Sequence, residues 1–265
     1  MMKRFGGITC ILLILSLVII SWTPAKSVNK KLPHMASAAR PLAAREQFEH
    51  YIENVYDAAG LRDSGLAFTL FKKAITGFTN LKASAKITQS NSILAVIDFS
   101  KSSCEKRMWI IDVVNKSLLL HTWVAHGEMS GNDIPTHFSD REDSRESSLG
   151  FYLTSDVYFG EHGRSLKLDG MDEGFNGNAR KRAIVIHAAD YVCREVIDVH
   201  GRLGRSYGCP AVSPEVIDQV IDALKDRTVL FVSGNSARYH SKYLNEDMAA
   251  DYAASDVNNG SLASL

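Results

Sequence analysis

The sequence carries no excess charge of either sign: Lys and Arg together number 30, Asp and Glu number 30, and the formal net charge is zero. It therefore lacks the basic stripe of a nucleic-acid binder, and no nucleic-acid partner is expected. Prolines number six in 265 residues, and no repeat is evident, which excludes fibrous and low-complexity classes. With 45% hydrophobic and 23% charged residues, disorder of the whole chain is excluded as well. Closely paired Cys or His ligands are also missing. His187-x-x-Asp190-x-x-Cys193 with Cys209 can be drawn as a metal set, but structural zinc wants close pairs at both ends, so neither a metal nor a cofactor is expected.

Long apolar runs are scarce too. The one at the start, Ile8 to Ile20, follows Lys3 and Arg4 and is shorter than the roughly 20 residues of a spanning helix. With Pro24, Ala25 and Ser27 behind it, the run predicts a signal peptide over residues 1–27, cleaved near Ser27. An uncleaved N-terminal anchor is the alternative. Either way the folded part is expected in the periplasm or elsewhere in the cell envelope, with no permanent membrane span after cleavage. Cys10 lies inside the run, the wrong context for lipidation. Its loss leaves Cys104, Cys193 and Cys209, an odd number for an oxidising compartment, so at least one thiol stays unpaired. Cys104 and Cys193 either pair with each other or remain structural thiols.

Residues 28–45 mix small, basic and proline residues without a period and are read as a linker. Phe48, Ile52, Val55 and Tyr56, then Leu66 to Phe78, recur at helical spacing, which predicts a helical segment over 46–85. From 86 to 234 the chain turns to short β-branched and aromatic runs: 93–99, 108–114, 117–124, 151–154, 183–187 and 228–233. Few helices separate them. An α+β fold is expected, with a mainly antiparallel, sandwich-like sheet. One more helix is predicted over 213–225, with Ser213 as cap and Pro214 at its first position. Residues 235–265 are polar and alanine-rich and are expected to be a weakly ordered tail.

The chemistry lies between Ile184 and Val212. His187 leaves the end of a strand, and Cys209 follows Gly208 in a turn containing Ser206 and Tyr207. A thiol attacks only as the thiolate, and an imidazole nearby can take its proton. Gly208 removes a side chain where a carbonyl must approach, and backbone N–H groups of the turn can bind a developing oxyanion.

His187-Ala188 with Ser206-Tyr207-Gly208-Cys209 resembles the motif of the murein L,D-transpeptidase catalytic domain, the YkuD-like family. The resemblance extends over about Glu46 to Gly234 and takes in Val124-Ala-His126-Gly127, Tyr158-Phe-Gly160, His162-Gly163 and Asn176 to Arg182. It implies Cys209 as nucleophile, His187 as base, and the Ala188 main-chain carbonyl as the group that orients the imidazole. It implies acyl transfer on peptidoglycan stem peptides: a thioester at Cys209, release of the terminal D-alanine, and a cross-link to a second stem. Water as acceptor would make the chain an L,D-carboxypeptidase, and loss of the chemistry would leave a non-catalytic murein-binding protein.

Two positions depart from the family pattern, Tyr207 where many members have His and Ala211 where many have Arg or Asn. They leave open how the substrate carboxylate is held. Arg182, Arg202 and Arg205 are the candidates, each being otherwise a solvated charge. Ser206, Tyr207 and His126 complete the expected substrate-binding set.

Overall fold

The computed structural model describes residues 36–258. The signal peptide expected at 1–27, the first part of the linker and residues 259–265 lie outside the described residues. Three central strands, β1 (Ile93–Asp98), β2 (Met108–Asp112) and β8 (Val229–Ser233), and the buried first half of β4 (Gly150–Gly160) are apolar at most positions. The cause is that the sheet is covered on both faces. Leu94, Val96, Trp109, Ile111, Phe151, Leu153, Val229 and Phe231 alternate onto one core, built with helices α1 (Ala36–Ala58), α2 (Phe68–Ala83) and α5 (Glu246–Asn258). Ala95, Ile97, Met108, Ile110, Tyr152, Leu230 and Val232 alternate onto a second core, completed by α4 (Ile217–Leu224) through Val220, Ile221 and Leu224. The period of two assigns every side chain its side.

With β3 (Ser117–Thr122), β5 (Gly163–Gly170), β6 (Val185–Ala188) and β7 (Ala211–Val212), the strand order is β3-β2-β1-β8-β4-β5-β6-β7. Only β1–β8 and β6–β7 are parallel. The two ends of this order meet: beyond β3, Ala125 exchanges backbone hydrogen bonds with Ala211 of β7, at 2.8 and 3.4 Å, and Gly127 bridges Ser206. The expected sandwich is therefore corrected to a single, mostly antiparallel sheet rolled into a barrel. Closure removes the free edges that two stacked sheets would each keep.

Two other expectations are corrected. Helix α1 already starts at Ala36, inside the segment read as a linker, and buries Ala44, Phe48, Ile52, Val55 and Tyr56. The C-terminal segment is ordered: after a short 3₁₀ turn at Lys242–Leu244, α5 packs on α1 and α2 through Ala249, Ala250 and Ala253. Asn80 donates to the carbonyls of Tyr243 and Asn245, both at 2.8 Å, which ties this segment to α2. Small alanines let helices approach closely, so a composition that looks featureless still carries a packing face. Helix α4 begins at Ile217 rather than Ser213, because 213–216 form a turn in which Val216 N–H donates to the Ser213 carbonyl. Among the described residues no helix is long and apolar enough to cross a membrane.

Candidate active site

The turn before β7 is built by one hydroxyl. Ser206 Oγ donates to the Cys209 carbonyl at 2.6 Å and accepts from Gly208 N–H at 3.1 Å, while its own backbone is fixed to His126 and Glu128. Gly208 has φ +120°, and a Cβ there would lie 2.8 Å from the Glu146 carbonyl oxygen, so only glycine fits. Gly208 N–H is thus taken by Ser206 Oγ, so an oxyanion would fall to the other N–H groups of this turn. Among the described residues the amides of Tyr207 and Cys209 donate to nothing, and they are the free donors of this turn.

Cys209 is partly exposed and, like Cys104 and Cys193, free. Its sulfur accepts from the Val185 N–H at 3.4 Å and faces the Ala183 carbonyl at 3.7 Å. Burial raises the thiol pKa above its ordinary value; the Val185 N–H and the Arg182 guanidinium pull it back down in part.

His187 ends β6 and is 4% exposed. Its Nδ1 lies 2.9 Å from the Ala188 carbonyl, which can only accept, so Nδ1 carries the proton and Nε2 the lone pair. Burial lowers its pKa, the Ala188 carbonyl opposes this, and His162, stacked on the ring at 4.3 Å, lowers it further. The parallel β6–β7 register pairs His187 with Ala211, two residues past Cys209, and the sulfur sits on Val185, two residues before His187. Base and thiol are thus diagonal neighbours on one ladder. Among the described residues no hydrogen bond joins them; raised thiol and depressed imidazole make the resting pair neutral.

Arg182 reaches under this turn. Its guanidinium donates to the carbonyls of Ser139 and Glu146, at 2.7 and 2.6 Å, and to the hydroxyls of Ser148 and Ser144. Every acceptor is neutral, so its charge is left to act on the nearby sulfur, and the loop 139–148 is clasped against Gly208. With its donors so committed, Arg182 is a poor clamp for a substrate carboxylate. Arg205 is committed likewise, to the carbonyls of Glu128 and Gly131 and to Asn132 Oδ1, and Arg202 bonds the neighbouring Leu203 carbonyl. His126, expected to meet substrate, is fully buried, accepting from Arg107 at 2.9 Å and donating to the Gly131 carbonyl, which leaves it no surface to offer. Ser206, 6% exposed, shapes the turn instead of facing outward. Tyr207 is open at 68%, with Arg145 over its ring at 4.3 Å. These two and Glu142, Asp143, Lys181, Arg182 and Ala183 line a polar cavity of about 440 Å³. Arg145 and Lys181 reach this cavity through contacts between distant segments, Arg145 on Glu128 and Tyr207 and Lys181 on Glu142.

A free sulfur, an imidazole held in one tautomer with an open Nε2, and unused amides beside them are the parts that thiol-dependent acyl transfer needs. The chain belongs to the L,D-transpeptidase catalytic domain family, which matches residues 62–233. No curated protein matches it. Among solved structures it is similar to the helical cell shape determining protein Pgp2 from Campylobacter jejuni, at 13% identity over 61% of this chain and 55% of that one, with TM-score 0.39. It is also similar to an L,D-transpeptidase from Mycobacterium smegmatis, at 11% identity over 54% and 59% with TM-score 0.33. A third is the L,D-transpeptidase LdtMt1 in complex with imipenem, at 12% identity over 54% and 59% with TM-score 0.34. The chain spans about three fifths of the length of these structures.

Proposed function

We propose that the protein is an exported murein L,D-transpeptidase acting on peptidoglycan stem peptides through Cys209. The observation that carries this reading is the diagonal placement of a free sulfur and a tautomer-locked His187 on the β6–β7 ladder, inside a chain of this family. His187 Nε2 takes the thiol proton as the sulfur adds to the carbonyl between the L-centre of a diamino acid and a terminal D-alanine. The free amides of Tyr207 and Cys209 meet the oxyanion. The C–N bond breaks, His187 returns the proton to the leaving D-alanine nitrogen, and a thioester remains. An acceptor amine then adds to it, its proton passes to His187, and the thiol is restored as the new amide leaves.

Incubation with purified tetrapeptide stems tests the reaction. Cross-linked dimers are expected; tripeptide without dimers identifies the L,D-carboxypeptidase, and untouched tetrapeptide overturns both enzymatic readings. A carbapenem is expected to add its intact mass once, on wild type and not on Cys209→Ala. The same adduct on the Cys209→Ala variant would move the nucleophile elsewhere.

A further inference from the structure

His162 is four residues upstream of Leu166, the β5 residue that pairs with Ile186, yet its ring lies flat on His187, centroids 4.3 Å apart and planes 24° apart. Straight continuation of the β5–β6 register would put the fully buried Ser165 opposite His187 and carry His162 past the end of β6. Two features bring it back. The β4–β5 ladder pairs Thr154 with Leu168 and Val157 with Leu166, so β4 holds one extra residue, a bulge that bends and twists the hairpin. Arg164 then ties the hairpin to α4 through Asp218 and Asp222, at 2.9 and 2.8 Å. The tip closes in a two-residue turn, Glu161-His162, between paired Gly160 and Gly163.

The contact has a chemical meaning because His187 is otherwise held at one point, by Nδ1 on Ala188. A single hydrogen bond lets an imidazole pivot about that bond; a flat ring on its face stops the pivot and leaves Nε2 aimed one way. Nothing else explains why an exposed, polar hairpin tip should lie on a buried histidine.

We propose that His162 is a positioning residue for the base, stacking on His187 to fix its ring as Cys209 gives up its proton. The proposal rests on the reading of His187 as base. The stacked ring offers its π face to the imidazolium that forms on His187. The charged and titratable groups around the pair are few. Glu161 precedes His162 in the turn, Arg164 is matched by its two aspartates, Asp190 is exposed beyond the end of β6, and Cys209 with Arg182 lies on the β7 side.

The test measures the rate of Cys209 acylation by a carbapenem, by intact mass, against carbapenem concentration, for wild type, His162→Ala and His162→Phe. His162→Ala is expected to slow the limiting rate at least tenfold with the half-saturating concentration unchanged. His162→Phe, which keeps a flat ring against His187, is expected to restore the rate to within about threefold. Equal rates for all three overturn the proposal. So does a change confined to the half-saturating concentration, which would make His162 a substrate contact. Wild type that never acylates overturns instead the catalytic reading on which the proposal depends, and His187→Ala, expected to acylate slowly whatever stands at 162, separates the two failures.

Discussion

At the scale of single residues, the proximity of His187 and Cys209 was legible because its signal is local. A histidine at a strand end and a cysteine after glycine twenty-two positions later need only two adjacent strands to meet, and β6 and β7 supply them. The hydrogen bonds of Arg182, His126 and Ser206 were not legible, since a side chain's partners come from segments up to tens of residues away. Arg182 spends its donors on a loop that sequence cannot fold back. That arrangement predicts the thiol's behaviour. Because burial holds the Cys209 pKa above its ordinary value, its alkylation by iodoacetamide should still be rising above pH 9, as tandem mass spectrometry of the labelled peptide will show. Arg182→Ala, which removes the positive charge, should slow the reaction at pH 8; a faster reaction would mean that loosening the loop outweighs the lost charge.

At the scale of elements, helices α1 and α2 and six of the eight strands announced themselves through apolar spacing. The two that did not are β5, whose Gly163-Arg-Ser-Leu-Lys-Leu-Asp-Gly170 has few large apolar residues, and β7, only two residues long. One glycine marks where elements touch most closely. Gly77 in α2 faces the Phe151 ring of β4, and an added Cβ would lie 1.9 Å from its Cζ. Gly77→Ala should gain slightly in helix propensity but lose more to overpacking, for a net destabilisation of about 2 kcal/mol that urea unfolding can measure. Truncation before Lys242 should have a larger effect, because it strips the 3₁₀ turn and α5 from α1 and α2 and leaves Asn80 without the carbonyls of Tyr243 and Asn245. The expected readouts are a lower melting temperature and binding of an apolar dye.

At the scale of the whole molecule, three histidines among the described residues are pushed toward the neutral form: His126, down to about 4 by burial and by Arg107, and His121 and His187, both lowered mainly by burial. In the unfolded chain each binds a proton near pH 6.5, so between there and pH 4 the unfolded state carries more protons. Their stabilising effect is complete above pH 6.5 and is lost as the pH falls; for His126 alone it amounts to roughly 3 kcal/mol. Asp172 and Asp140, raised by burial, act with the opposite sign in part of that window but are outnumbered. Calorimetry should therefore show the melting temperature dropping from pH 7 to pH 5, and a flat profile would contradict the neutral state of these rings.

Barrel closure was the least legible feature, for it depends on two bridges of single residues, Ala125 to Ala211 and Gly127 to Ser206. The first of these stands two residues from Cys209, which makes its sulfur part of the seam. Opening the seam by local fraying would take the partly exposed sulfur off the Val185 amide without unfolding either core, so the change in its labelling rate during refolding would time the last stitch of the barrel separately from the docking of its helices.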